Sequence, residues 1–216
     1  MIWHEEEWLS IDLETTGLDT ATAMPVEIGL VWMLGCEVTR SRRWLVNPEI
    51  PIPEEAAAIH GINDAAVVNM PTIAEYAEDL LRAVGKARVV VGYNGYHYDF
   101  PILSRLIPEF RERCRGRAIL DPLVLVRTPE VGKYWRGKGR HRLTSVVERI
   151  GAPGADEDRA HGAVYDAEMA AKVLWYFRDH LPADGAAAQR HLVAAHRKQE
   201  AEFQAWRARQ PAQEAR

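Results

Sequence analysis

The sequence has little cysteine and no long hydrophobic run. Two cysteines in 216 residues, Cys36 and Cys114, are too few and too far apart to predict a disulfide framework or a zinc site. No apolar stretch approaches the roughly 20 residues of a transmembrane helix. The acidic start of the chain, residues 1–7, is unlike a basic and then apolar secretory signal. We therefore expect a protein without a membrane segment, in a reducing, cytoplasmic setting.

The chain also lacks an excess of charge of either sign. Its 27 Lys and Arg and 31 Asp and Glu give a formal net charge of −4, which does not suggest a nucleic-acid binder, although clustered charges can bind where the net charge does not. Hydrophobic residues at 47% and charged residues at 27% are typical of a globular protein. The length predicts one domain, residues 1–182, with a C-terminal helical extension, residues 183–216.

The stretch Trp8–Gly17 combines a strand pattern with acidic residues. Apolar and polar residues alternate along it, which predicts a strand with one apolar face. Asp12 and Glu14 are two residues apart, so both carboxylates should point to the same side of this strand. Like charges this close repel, and a divalent cation such as Mg²⁺ or Mn²⁺ would remove the conflict. Solvated acids at the end of a strand are the alternative for the pair taken alone.

The residues that follow include two further polar features. Thr15, Thr16 and Gly17 should end the strand in a turn whose backbone N–H groups can meet a ligand. The next apolar run, Val26–Met33, predicts a buried strand that contains Glu27. Glu27 is either a further ligand or a hydrogen-bonded or edge-facing acid, and we favour the second interpretation.

The order of elements predicts an α/β fold. Strands come first and are then interleaved with helices, including buried strands at Arg88–Gly92 and Ala118–Leu120 and a long helix from about Gly162 to Arg178. This order favours a mixed central sheet flanked by helices over a fully parallel sheet. Asp184–Arg209 is polar and rich in alanine, and we interpret it as a C-terminal helix that packs loosely on the domain or binds a partner.

Two more acidic residues stand at predicted helix starts. Asp99 follows the strand at Arg88–Gly92 and an Asn-Gly turn, where a helix N-cap is the alternative to a catalytic role. Asp166 opens an otherwise apolar helical face, which is informative because carboxylates are seldom buried unless paired or metal-bound. His161, five residues earlier, should lie on the preceding loop or first turn, either over the site or as a solvated helix-start residue.

Taken together, Asp12-x-Glu14, Asp99 and His161-x4-Asp166 resemble the histidine branch of the DEDD exonuclease superfamily. The resemblance covers about residues 8–181. It implies a ribonuclease H-like fold and removal of nucleoside monophosphates in the 3′→5′ direction. Two cations roughly 3.5–4 Å apart can stabilise the attacking and leaving oxygens of such a displacement.

The resemblance also implies a role for each matching residue. Asp12, Glu14 and Asp166 would hold the cation that binds the attacking water, and Asp12 would bridge to a second cation. Asp99 would act on that second cation, and His161 would be the general base. The cofactors implied are two divalent cations, Mg²⁺ or Mn²⁺.

Substrate contacts are expected outside these motifs. The segment Arg127–Arg142 concentrates cations that suit phosphates and aromatics that suit unpaired bases, although a solvated loop is the alternative. Its candidate substrate-binding residues are Tyr134, Trp135, Arg136, Lys138 and Arg140. His60, either a pocket residue or a helix C-cap, and Asn94 are further candidates, together with the turn at Thr15, Thr16 and Gly17.

The sequence therefore predicts a metal-dependent 3′→5′ exonuclease that acts on single-stranded nucleic-acid ends, with DNA slightly favoured. A ribonuclease of the oligoribonuclease or ribonuclease T type is the alternative within the same class. A nonenzymatic scaffold subunit that docks through its C-terminal helix is the alternative from another class. The partners expected are DNA or RNA 3′ ends and, through that helix, a polymerase or other protein.

Overall fold

A five-stranded mixed sheet forms the centre of the molecule in the computed structural model, which describes residues 2–133, 139–156 and 160–209. Its strands are β1 (Glu7–Thr15), β2 (Pro25–Leu34), β3 (Glu37–Leu45), β4 (Val89–Val91) and β5 (Ala118–Leu120). They lie in the order β3-β2-β1-β4-β5. β1 pairs antiparallel with β2 and parallel with β4, so the predicted mixed α/β sheet is confirmed.

Helices cover both faces of this sheet. In chain order they are α1 (Glu54–His60), α2 (Asp64–Val67), α3 (Ile73–Lys86), α4 (Asp99–Leu106), α5 (Glu109–Arg113), α6 (Pro122–Val126), α7 (Pro129–Gly132), α8 (Leu143–Ile150), α9 (Ala163–Tyr176) and α10 (Gly185–Ala208). Within the described ranges, no helix combines the length and the apolar composition that a bilayer crossing requires.

The alternation of residues along β1 explains why this strand is central. Leu9, Ile11 and Leu13 are buried in one hydrophobic cluster together with residues of α3 and α4. Trp8, on the opposite side of the strand, is buried in a second cluster with residues of α9. Each face of β1 is thus covered by helices, and the acidic positions share the face that α9 covers.

The C-terminal helix α10 has two different halves. Ala188 and Leu192 are fully buried in the same cluster as α9, and the side chain of Gln199 donates a hydrogen bond of 2.9 Å to the carbonyl of Val124. Residues 201–209 are exposed throughout. The predicted helix is confirmed, whereas the division of the chain at residue 182 stays a prediction.

Candidate active site

Three carboxylates converge at the carboxyl end of β1. Asp12 and Glu14 lie on the face of the sheet that α9 covers, and Asp166 belongs to the first turn of α9. One ligand oxygen of each residue lies within 4.8 Å of those of the other two. A strand and a helix that are far apart in the sequence thus bring together three of the four predicted metal ligands.

Gly29 makes this convergence sterically possible. It lies on β2 directly opposite Asp12. A Cβ atom at this position would lie 2.2 Å from both the backbone carbon and the oxygen of Ala163, the first residue of α9. The start of α9 therefore approaches β2 more closely than any side chain at position 29 would permit, and Asp166 follows three residues later.

Asp99 approaches from a third element. It is the first residue of α4 and is 2% exposed. Its Oδ1 accepts a hydrogen bond of 3.1 Å from the backbone N–H of Leu13, between the two acids of β1. Tyr98, rather than Asp99, occupies the N-cap position of α4, so the N-cap alternative for Asp99 is wrong. Asp99 is tied to β1 instead, beside the group of three carboxylates.

The electrostatics of the site favour a bound cation. Burial, followed by the charges of Asp99 and then Asp166, raises the pKa of Asp12 well above its ordinary value. Burial and the charge of Asp166 raise the pKa of Glu14 to about 8. Burial also raises the pKa values of Asp99 to about 7 and of Asp166 to about 6. The carboxylates destabilise one another, and a positive charge among them would relieve the repulsion.

These residues fit one or more hard divalent cations. Carboxylate oxygens are the ligands that Mg²⁺ and Mn²⁺ prefer, and three are already grouped. Burial and the neighbouring carboxylates raise the pKa values of Asp12 and Glu14, and a bound cation would stabilise the ionised forms of both.

His161 lies next to Asp166 but outside the regular part of α9. It is exposed, has a left-handed φ of 63° and precedes the first helical residue by two positions. Its backbone N–H bonds to the carboxylate of Asp166, and that bond and the charge of His161 lower the pKa of Asp166, against the larger raising effect of burial. The prediction that His161 lies on the loop or first turn is confirmed.

A cavity of about 570 Å³ adjoins the carboxylates. The turn after β1 and helix α1 form its sides, and the apolar side chains of Leu18 and Ile59 at its edge are 89% and 57% exposed. Tyr98 also lines it and donates a hydrogen bond to the carbonyl of Gly17. Nothing in the local sequence pattern of Tyr98 indicates this partner, which is 81 residues away in the chain.

The turn residues themselves behave only partly as predicted. The N–H of Thr16 bonds to the carbonyl of Met24 at 2.9 Å, and its hydroxyl accepts the N–H of Met24 at 3.0 Å. The expectation that this N–H meets a ligand is therefore wrong, because the turn has closed onto the start of β2. The hydroxyl of Thr15 bonds to the carbonyl of Gly17 at 2.9 Å, which helps to shape the cavity wall.

His60 projects from the end of α1 into the same cavity. Its Nδ1 accepts the N–H of Ile62 at 3.1 Å, whereas its buried Nε2 has no hydrogen-bonding partner among the described residues. Burial lowers the pKa of His60 and thereby favours the neutral imidazole. The residue after it, Gly61, is the C-cap of α1 in left-handed conformation, so the C-cap alternative for His60 is wrong.

Asn94 lies in a different cavity, of about 520 Å³, between the turn after β4 and helix α10. It adopts a left-handed φ of 63°, and its N–H donates to Asp121 Oδ1 at 3.0 Å. Asp121 is fully buried and also accepts the N–H groups of Tyr96 at 3.1 Å and Leu123 at 2.9 Å. Sequence reasoning missed Asp121. The available signal was an acid directly before a proline that starts a helix, which indicates an N-cap but not the other two bonds.

The basic segment is described only in part. Tyr134, Trp135, Arg136 and Lys138 lie outside the described residues, whereas Arg140 is described and exposed. Arg127, at the start of the segment, lines the Asn94 cavity, and the carbonyl of His141 accepts a hydrogen bond of 2.6 Å from Tyr93. The described ends of this segment thus lie beside the turn that leads to Asp99.

The five-stranded mixed sheet, flanked by helices and with carboxylates at the end of its central strand, matches the ribonuclease H-like fold of exonucleases. The chain belongs to the exonuclease family RNase_T, whose model matches residues 9–174. Similar proteins include DNA polymerase III subunit epsilon of Aquifex aeolicus, 28% identical over 164 residues that cover 76% of each chain. The same subunit of Escherichia coli is 28% identical over 174 residues, which cover 76% of this chain and 68% of that one.

Solved structures share the fold. Exonuclease X in complex with 5′-overhanging duplex DNA has a TM-score of 0.62 at 23% identity and covers 86% of this chain and 99% of its own. E. coli exonuclease I in complex with a dA16 oligonucleotide has a TM-score of 0.67 at 16% identity, over 81% of this chain and 42% of its own. The predicted membership of the DEDD exonuclease superfamily and the predicted 3′→5′ exonuclease activity are confirmed.

Proposed function

We propose that this exonuclease uses two divalent cations, Mg²⁺ or Mn²⁺, to release nucleoside 5′-monophosphates from single-stranded 3′ ends. The observation that carries the proposal is the convergence of Asp12, Glu14 and Asp166, with ligand oxygens within 4.8 Å of one another. The raised pKa values of Asp12 and Glu14 support it, because burial and then the neighbouring carboxylates raise them, and a cation would offset both effects.

Each residue then has a distinct task. Asp12, Glu14 and Asp166 would hold one cation, and Asp99, with Asp12, would serve a second. Bound cations would supply stabilisation of the attacking and leaving oxygens in an in-line displacement. His161, which is exposed on the loop before α9 and adjoins Asp166, would take the proton of the attacking water on its imidazole ring.

The cavity next to Glu14 is proposed to bind the terminal nucleotide. Leu18 and Ile59 offer apolar surface to a base, and His60 lines the same cavity. Such a pocket should require a free 3′-hydroxyl. We therefore expect linear single strands to be degraded and closed circular ones to survive, whereas rapid cutting of circles would contradict the pocket assignment.

DNA is the favoured substrate. The solved relatives named above are complexes with DNA, and the curated relatives are DNA polymerase subunits. A ribonuclease of the oligoribonuclease or ribonuclease T type is the competing proposal. Matched single-stranded DNA, RNA and dinucleotides, each incubated with Mg²⁺ and with Mn²⁺ and analysed for product size, distinguish the two. Faster turnover of RNA or of dinucleotides would decide for the ribonuclease.

The basic segment is proposed to bind phosphates upstream of the cut. Replacing Arg136, Lys138 and Arg140 together with glutamine should weaken binding and flatten its salt dependence while the chemical step is retained. The matched control replaces the exposed Arg111, Arg113 and Arg115, which removes the same charge elsewhere. If substrate affinity depends on salt concentration equally in both triple variants, the basic segment is a solvated loop and does not bind phosphates.

The exposed end of α10 is proposed as a docking element for a polymerase or another protein. Residues 201–209 are exposed, and Phe203 and Trp206 stack with centroids 5.8 Å apart while 51% and 53% exposed. The scaffold alternative requires loss of catalysis, which the intact carboxylate group argues against. If the chain is an enzyme with a metal centre, EDTA should abolish turnover, and so should the substitution Asp12→Asn. Undiminished activity in Asp12→Asn would contradict the metal centre.

A further inference from the structure

A fifth carboxylate is buried beside the proposed metal ligands. Glu27 lies on β2 directly opposite Glu14 on β1, in an antiparallel pair. Directly opposite residues of such a pair project from the same face of a sheet, so Glu27 shares the face that carries Asp12 and Glu14. Glu27 is only 2% exposed. A carboxylate this buried requires a partner.

The partner of Glu27 comes from the edge strand. Arg43 lies on β3, and its Nη2 is 2.7 Å from Glu27 Oε2. In the register of β2 with β3, Leu45 is opposite Glu27 and Arg43 is opposite Gly29, so the arginine reaches diagonally along the same face. Its side chain is 58% exposed, which keeps the rest of the guanidinium in water. In this pair, the buried carboxylate of Glu27 is neutralised by an arginine whose side chain lies largely in solvent.

The charges of this face balance only when Arg43 is included. Asp12, Glu14, Asp99 and Asp166 carry four negative charges when ionised, which equal the charge of two divalent cations. Glu27 would add a fifth negative charge on the same face, directly opposite Glu14. Arg43 supplies the compensating positive charge.

We propose that Arg43 is a positioning residue of the metal centre. By binding Glu27 it holds this carboxylate out of the cation coordination and leaves four carboxylates for two cations. This inference rests on the proposed two-cation function. Without Arg43, Glu27 becomes a surplus ligand that binds cation and pulls it away from the arrangement in which Glu14 and Asp166 hold it.

A purely structural role is the alternative, since the pair also ties β3 to β2. Buried ion pairs often add little to stability, so a structural role would appear as a change in unfolding without a change in cation binding. The two roles are separable because the double variant Glu27→Gln/Arg43→Met removes both the surplus carboxylate and its partner. It tests whether Arg43 matters only while Glu27 is charged.

The experiment titrates Mn²⁺ into the chelator-treated, substrate-free full chain by calorimetry. We expect Arg43→Met and, independently, Arg43→Gln to bind Mn²⁺ about tenfold more tightly than the wild type, because an uncompensated carboxylate faces the site. Glu27→Gln and the double variant should bind no more tightly than the wild type. Turnover at saturating Mn²⁺ should fall in Arg43→Met and recover in part in the double variant and in Arg43→Lys.

The Mn²⁺ affinities of single and double variants decide whether Arg43 has a positioning role. If each Arg43 single variant binds Mn²⁺ as tightly as the corresponding double variant with Glu27→Gln, Arg43 has no such role, even if the unfolding midpoints differ. If Arg43→Met does not fold, the comparison of Arg43→Gln with Glu27→Gln/Arg43→Gln decides in the same way. A wild-type chain that binds no Mn²⁺ would contradict the metal centre itself, which is a different result from equal binding by all variants.

Discussion

Individual residues of the site acquire their roles from neighbours that are distant in the sequence. Asp99 bonds to the backbone of Leu13, 86 residues away, and Asp121 accepts N–H groups from the turn at Asn94 and Tyr96. The spacing of the acids in the sequence predicts which residues could bind metal. It does not predict which backbone groups hold them, because those bonds depend on how the strands are ordered in the sheet.

His161 tests the chemistry at the scale of one residue. His161→Ala should lower the single-turnover rate roughly 10²–10⁴-fold, the usual effect of removing a general base. Stability and cation binding should change little, because the side chain is exposed and the carboxylates remain. His191→Ala, an exposed histidine on α10, is the matched control and should keep the wild-type rate. A His161→Ala enzyme with an unchanged rate would exclude the base.

Asp121 supports the turn before Asp99 without belonging to the group of carboxylates, and the substitution Asp121→Asn tests this role. Asp121→Asn cannot accept all three N–H groups, since one side-chain oxygen becomes an amide donor. We expect a loss of about 1–3 kcal/mol in the free energy of unfolding, the cost of an unsatisfied buried group, measured by urea denaturation. Glu109→Gln, at an exposed position of α5, is the control, because it makes the same chemical change on a side chain in water. Equal losses in both variants would contradict the special role of Asp121.

At the scale of elements, the close packing of the start of α9 on β2 determines the geometry of the site. The sequence correctly predicted β2, β5 and a long final helix of the domain from their periodicity and their flanking residues. It did not predict the close contact of Gly29 with Ala163, because a glycine inside an apolar run has several explanations. That contact is visible only once β2 and α9 are packed.

Gly29→Ala should separate these two elements. The added Cβ meets backbone atoms at 2.2 Å, so α9 must shift and carry Asp166 away from Asp12. We expect a stability loss of at least about 1–3 kcal/mol, typical of overpacking, together with weaker Mn²⁺ binding. Gly85→Ala in α3 is the matched control, since its Cβ would meet only the flexible Arg113 side chain, at 3.2 Å. Unchanged Mn²⁺ affinity in folded Gly29→Ala would show that α9 had not moved.

At the scale of the whole molecule, the acidic site links folding to pH and to cations. The folded-state pKa values are about 6 for Asp166, about 7 for Asp99 and about 8 for Glu14, whereas unfolded carboxyl groups titrate near pH 4. Between these limits the folded chain binds more protons than the unfolded chain. We therefore expect the contribution of these carboxyl groups to the free energy of unfolding of the metal-free protein to fall as pH rises from about 4 to 8.

Saturating Mn²⁺ should reverse this trend, because a cation binds the ionised carboxylates of the folded state and adds its binding free energy to stability. The measurement is thermal unfolding between pH 5 and 8, with EDTA and with Mn²⁺. Asp12→Asn removes one charge from the repelling group, so without metal it should gain stability over the wild type at pH 8 and less at pH 5. Glu37→Gln, at an exposed position of β3, should show no such difference. Metal-free stability that rises with pH over this range would mean that burial and repulsion do not raise the pKa values of these carboxyl groups in the folded chain.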